Sequence, residues 1–267
     1  MSTKNKIVIC FFGVCSRAIK YTHHNHLKNI IDIIKTDYDY DIYVFNNNVG
    51  DTLIDGIKQS NDDVNIILKK ADIFEEMNQI DIDEKINEKI LRDNINIKMR
   101  EDYTEYGIRN AIRQMFSEEQ VGLFLEKNIN NYKSAIVCNS DLYFLNKINL
   151  ENIRESITIN SNSSVYTSTL NEQPGSYTNA FYFGSLEPLS KILKRFSILE
   201  KLLPTHSDYE HLLKKGFDMH GITRIITDID FVKIRSNKYI FMMPGRTNKN
   251  SDSSIINEIQ NDINSIV

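Results

Sequence analysis

Apolar positions in the first half of the chain gather into short runs separated by stretches of helical period. Residues 6–12 (KIVICFF) form a continuous apolar run closed by Gly13. With no polar alternation, the run predicts a strand buried on both faces. Across residues 18–35, Leu27, Ile30, Ile31 and Ile34 recur at helical spacing and predict a helix. Residues 41–45 (DIYVF) predict a second strand running into Asn46-Asn47-Asn48, and residues 64–68 a third. Strand–helix–strand alternation of this kind implies parallel pairing in an open sheet.

Further along, Ile82, Ile86 and Ile90 at four-residue spacing predict an exposed helix over 81–100. A longer helical region covers 103–130, with Gly107 and Gly122 as candidate breaks. Residues 134–138 predict another buried strand, followed at once by Asn139-Ser140-Asp141. Strands are expected at 164–169 and 178–183, helices at 186–201 and 208–215, one or two strands within 223–235, and a closing helix at 253–266. The 267 residues carry only four prolines, no internal repeat and no Pro- or Gly-rich linker, so a single α/β domain with helical elaborations is expected.

Composition narrows the function classes. Hydrophobic residues at 41% and charged residues at 25% suit an ordinary globular core. The formal charge is −4 and the 32 basic residues are scattered, which disfavours nucleic acid as a partner, since a phosphate backbone needs clustered Lys and Arg. Of the three cysteines, Cys10 and Cys138 sit in apolar runs, and no CxxC pair exists. The N-terminal segment lacks the length and cleavage site of a signal peptide, and no apolar run approaches the ~20 residues of a membrane span. A soluble, cytoplasmic protein is expected, within the host cytoplasm if the source is viral.

In open α/β sheets, ligands collect beyond the carboxyl ends of the parallel strands. Three polar segments fall there: Gly13 to Arg17, Asn46 to Asn48, and Asn139 to Asp141. The first is neither GxGxxG nor GK[ST], which disfavours dinucleotide and P-loop readings. Arg17, at a helix start, is unfavourable for the helix dipole and wants an anionic partner. Asp141 stands between two apolar segments, where an unpaired carboxylate is costly. A divalent ion shared with a diphosphate is one resolution, and an Asx turn through the local backbone is the other. His23 and His26 could share a helix face, but no carboxylate or cysteine at fitting spacing supports zinc, so a solvated or substrate-facing surface is expected. Asp228-Ile229-Asp230 spells DxD inside a strand-like run, where alternation puts both acids on one solvent face.

The segments FFGVCSR, DIYVFN, RNAIRQMFS, YKSAIVCNSDLYF and NAFYFGS together resemble a family of small GT-A-type glycosyltransferases, found in large DNA viruses and bacterial surface-polysaccharide loci. The similarity covers most of residues 6–235 as an order of blocks. It implies a Rossmann-like, mostly parallel sheet flanked by helices, with a nucleotide-binding half (about 1–145) and an acceptor half (about 146–267). It also implies a UDP- or GDP-sugar donor, a glycan acceptor and an Mn2+ or Mg2+ ion on a DxD-type motif. Asn139-Ser140-Asp141 matches that motif only in Asp141, and Asn179 stands where the family often has an acid.

Carried over, the resemblance implies that Phe12, Gly13 and Arg17 line the nucleotide and phosphate region. Asn46 would edge the base or ribose pocket, Gln114 would face the donor, and Asn139 and Asn179 would join the sugar-nucleotide contacts. Asp208 or Glu210 resembles the acid that deprotonates an acceptor hydroxyl in inverting members. Residues 207–210 equally fit a helix-capping box built by Ser207 and Glu210. The resulting expectation is a glycosyltransferase acting on a glycan hydroxyl. The alternatives are a catalytically inactive nucleotide-sugar or glycan-binding protein of the same fold, and a nucleotidyltransferase.

Overall fold

A computed structural model describes residues 5–60, 64, 70–95, 105–158, 163–170, 176–203, 209–242 and 252–266. The described strands are β1 (Lys6–Gly13), β2 (Asp39–Asn48), β3 (Leu53–Ile54), β4 (Ile57–Lys58), β5 (Ile73–Asn78), β6 (Ser134–Asn139), β7 (Leu142–Phe144), β8 (Ser164–Thr167), β9 (Phe181–Gly184), β10 (Thr223–Ile226), β11 (Phe231–Ile234) and β12 (Ile240–Phe241). Seven form one sheet in the order β10-β8-β9-β6-β1-β2-β5, three form a second in the order β12-β11-β7, and β3-β4 is a separate hairpin. In the large sheet β1 is parallel to β2 and β6, β2 to β5, and β8 to β10. Only β9 runs against its neighbours β6 and β8. The fold is α/β, with a mixed, mostly parallel central sheet flanked by helices.

Alternate residues of β1 feed two cores. Val8, Cys10 and Phe12 pack with the helix Glu105–Lys127 and its neighbours, while Ile7, Ile9 and Phe11 pack with Ile30, Ile34 and the small sheet. Burial on both faces is what an uninterrupted apolar run requires. A third core joins Val232 and Ile234 of β11 to Ile259 and Ile263 of the C-terminal helix Asp252–Ser265.

Several expectations shift. Of residues 64–68 only Val64 is described, and it is buried; the third parallel strand on that side is β5. β5 is an edge strand whose side chains are mostly exposed, so it lacks the apolar signature of the strands beside it. The expected helix over 81–100 is Gln79–Arg92, and residues 96–100 lie outside the described set. The helix Glu105–Lys127 runs unbroken through Gly107 and Gly122. A Cβ on Gly122 would stand 2.9 Å from Lys194 Cγ and 3.1 Å from Leu193 Cβ, so that glycine serves close packing rather than a break. The segment 186–201 divides into Leu186–Leu193, a 3-10 turn Lys194–Ile198 and Leu199–Leu202. Among the described helices, none is long and apolar enough to cross a membrane.

The histidine-rich stretch has a structural use, contrary to the expected solvated surface. It lies in the helix Ile19–His26, which continues through a π turn, Leu27–Ile31, into Asp32–Asp37. β7 is the outer strand of the small sheet, and its free backbone edge needs partners. The helix supplies them: His26 Nε2 lies 2.6 Å from the Leu142 carbonyl, Asn25 Nδ2 and Asn29 Nδ2 donate to the Phe144 carbonyl, and Asn25 Oδ1 accepts from Phe144 N–H. His26 also stacks on Phe11 with ring centroids 4.9 Å apart.

Burial lowers the His26 pKa from 6.5 to about 4. The neutral ring is the folded form, so between pH 4 and 6.5 the unfolded chain binds the extra proton. Stability is therefore complete above pH 6.5 and drains away as pH falls toward 4, by on the order of 3 kcal/mol from this ring. Urea unfolding at stepped pH is expected to show that loss. A His26→Gln variant, less stable at pH 7, should lose less over the same window; equal slopes would contradict the assignment.

Candidate functional site

Three parallel strands end side by side, with Gly13 opposite Asn46 in β2 and Phe12 opposite Asn139 in β6. Beyond those ends lies a cavity of about 380 Å³. Its walls include Phe12, Gly13, Arg17, Gln114, Asn139 and Asp141, six of the residues singled out from sequence. Phe12 contributes little beyond its place at the floor, since it is 1% exposed and belongs to the core. Gly13 has φ +100°, a conformation that side-chain-bearing residues resist, and it releases the chain from β1 into the turn that carries Arg17.

Asn46 and Asn179 are not on the cavity wall. Asn46 is a brace: its Oδ1 accepts from Cys15 N–H at 3.1 Å and its Nδ2 donates to Glu76 at 2.6 Å, fixing the turn that presents Arg17. Asn179 is buried, and its carbonyl accepts from Gln114 Nε2 at 3.1 Å, which steadies the amide that does face the cavity. Glu210, in the first turn of the helix Tyr209–His220, is likewise not on the cavity wall, but its charge acts on Lys233, which lines it. Asp208 lies outside the described residues.

The turn carrying Asp141 is held from both sides. Thr22 Oγ1 donates to the Ser140 carbonyl at 2.7 Å, and Ile234 N–H donates to the Asp141 carbonyl at 2.8 Å. The second bond draws β11 alongside, and strand alternation turns Lys233 and Arg235 to the same side as the Asp141 carboxylate. Asp141 Oδ2 is 3.4 Å from Arg235 Nη1 and 3.9 Å from Arg17 Nη1, so the side chain faces the cavity rather than its own backbone. Arg17 Nε is also 3.8 Å from Asp55, at the tip of the β3-β4 hairpin. Across the cavity, Arg113 is clamped by both oxygens of Asp83 at 2.6 and 2.7 Å.

Lys233 is the least compensated of these charges. It is half-buried, and its ammonium has neither an ion pair nor a hydrogen bond among the described residues. Burial lowers its pKa from 10.5, the nearby Arg235 and Arg17 charges lower it further, and Asp141 and Glu210 oppose that shift. The unfolded chain therefore holds the extra proton between the lowered value and 10.5, and stability gains from rising pH in that window. Three buried atoms here lack a hydrogen-bond partner: Arg17 Nε, Asn139 Oδ1 and Asp141 Oδ1. Desolvated, unsatisfied groups of this kind are costly unless a ligand meets them.

The donor set suits a divalent ion poorly. Asn139 and Asp141 offer one amide and one carboxylate oxygen, and among the described residues no three His, Cys, Asp or Glu side chains gather to hold a metal. The other Asp141 oxygen already faces two guanidinium groups. A dication at that carboxylate would sit among three like charges, so these residues fit a resident metal poorly. Asp228 and Asp230 fall in the link between β10 and β11 rather than within a strand, Asp228 is exposed, and neither lines the cavity.

Lys233, Arg235, Asp55 and Arg113 were not found by sequence reasoning. One signal was present: in FVKIR two cations stand two residues apart on a strand, which places them on one face. Compared with protein-family models and with curated proteins, the chain matches none.

Proposed function

We propose that the protein is a glycosyltransferase that moves a sugar from a nucleoside diphosphate to a hydroxyl acceptor. The observation that carries this is the convergence of Arg17, Lys233 and Arg235 around Asp141, at the carboxyl ends of parallel strands, in a cavity large enough for a small ligand. Guanidinium and ammonium groups brought together in a partly desolvated cleft suit a diphosphate, whose oxygens accept bidentate and point-charge contacts alike.

In the proposed reaction the bond between the anomeric carbon and the diphosphate oxygen breaks, and that oxygen takes the electron pair. Fixed cations stabilise the charge as it develops, with no reorganisation at the moment of reaction. The acceptor oxygen forms the new bond to the anomeric carbon and gives up its proton to a carboxylate on the cavity wall or to water, since Glu210 does not line the cavity. Asn139 Oδ1 and Asp141 Oδ1 are acceptors without donors, and the hydroxyls of a sugar ring would satisfy them.

A second reading, a sugar-nucleotide-binding protein without turnover, draws on one feature. Both carboxylates on the cavity wall, Asp55 and Asp141, already face arginines. A screen of UDP- and GDP-sugars for release of the nucleoside diphosphate separates the two. Release from at least one donor is expected; tight binding without release favours the second reading, and neither binding nor release overturns both.

A further inference from the structure

We infer that the chain's own cations, Arg17, Lys233 and Arg235, neutralise the donor diphosphate, and that nucleotide binding needs no divalent ion; this rests on the sugar-nucleotide reading above. The work usually given to a metal is to place positive charge against the phosphate oxygens as the nucleotide binds and departs. Here that charge is already built into two elements. Arg17 comes from the turn after β1, Lys233 comes from β11 and Arg235 directly follows it, and backbone pairing at Asp141 fixes that strand end beside it.

Their present contacts are weak enough to yield. Arg235 and Arg17 share one oxygen of Asp141 at 3.4 and 3.9 Å, and Arg17 meets Asp55 at 3.8 Å, all longer than a good charge-assisted hydrogen bond. Arg17 Nε is buried without a hydrogen-bond partner, and the Lys233 ammonium has none among the described residues. An anion between them would satisfy all three side chains at once, while Asp141 serves as the counter-ion that keeps them gathered when no ligand is bound. A dication in the same place would meet Asp141, which two arginines already share, or Asp55, which already faces Arg17, and would be repelled by the three cations that line the wall.

Titration calorimetry of uridine and guanosine diphosphates tests this, first into protein treated with EDTA and then with Mg2+ or Mn2+ added. At least one nucleotide is expected to bind in EDTA, with an affinity that changes by less than about tenfold when metal is added. Lys233→Met is expected to weaken that binding by about tenfold or more. In Asp141→Asn, nearly isosteric, the nucleotide binding that remains is expected to be as indifferent to added metal as in the wild type, with thermal unfolding of both variants confirming that they fold. Binding that appears only with metal, and vanishes in Asp141→Asn, would overturn the inference and leave the sugar-nucleotide reading standing. Absence of binding under either condition overturns both.

Discussion

Replacing Arg195 by methionine is expected to destabilise the protein by about 3–5 kcal/mol, the largest stability effect of any single substitution considered for this chain. Arg195 is fully buried, and so is Glu118, whose carboxylate it meets. Arg195 also donates to the Ile192 carbonyl at 2.6 Å and to Tyr209 Oη at 3.1 Å, while Glu118 accepts from Tyr182 and Gln114. Burial pushes the Glu118 carboxyl above its usual range while the Arg195 charge pulls it back. Without the guanidinium, Glu118 would be left as an uncompensated charge in the core or would have to take up a proton. Even the neighbouring glycine reflects the ion pair, since a Cβ on Gly216 would stand 3.0 Å from Arg195 Cδ. The double variant Glu118→Leu/Arg195→Met should recover most of the loss, because an apolar pair carries no desolvation cost. Urea unfolding of the wild type, the single and the double variant checks this, and a single variant within about 1 kcal/mol of wild type would contradict it.

Lys233→Met is expected to slow sugar transfer by about 10²–10³-fold, the usual cost of removing one preorganised group aimed at developing charge. The substitution keeps most of the aliphatic stem and removes the ammonium. Because burial already holds the Lys233 pKa below 10.5, losing the charge should leave stability unchanged or raised. Lost turnover in a protein no less stable than wild type is the signature of a group kept for a ligand rather than for the fold. The wild-type rate should also fall as alkaline pH strips the proton from Lys233, and the fall should begin below the ordinary lysine value. Full activity in the variant, or activity lost only together with stability, would remove Lys233 from the proposed machinery.

How much was legible in the sequence followed the physics of each element. β1, β2 and β6 announce themselves because central parallel strands must be apolar on both faces, and Asp141 stands out as an acid at the end of one of them. β5 stays hidden because an edge strand with exposed side chains looks like any polar segment. The stretch YTHHNH invites a ligand reading, yet Thr22, Asn25 and His26 spend their polar atoms on the backbone of residues 140–144. Such use depends on which strand lies opposite, and local sequence does not carry that. Lys233 and Arg235 were missed for a similar reason: Arg235 is 94 positions from Asp141, brought in by the pairing of β7 with β11. Asp228 and Asp230 matched a motif by spelling, and the fold leaves them off the cavity wall.

The central claim is that a diphosphate linked to a sugar belongs in the cavity beyond β1 and β6. A crystal structure of the protein with a bound nucleoside diphosphate tests it most directly. The account predicts phosphate oxygens within hydrogen-bonding distance of Arg17 and Lys233, with the Asp55–Arg17 contact opened. A nucleotide seated elsewhere, with Lys233 still lacking a partner and the Arg17 and Arg235 contacts to Asp141 undisturbed, would contradict it.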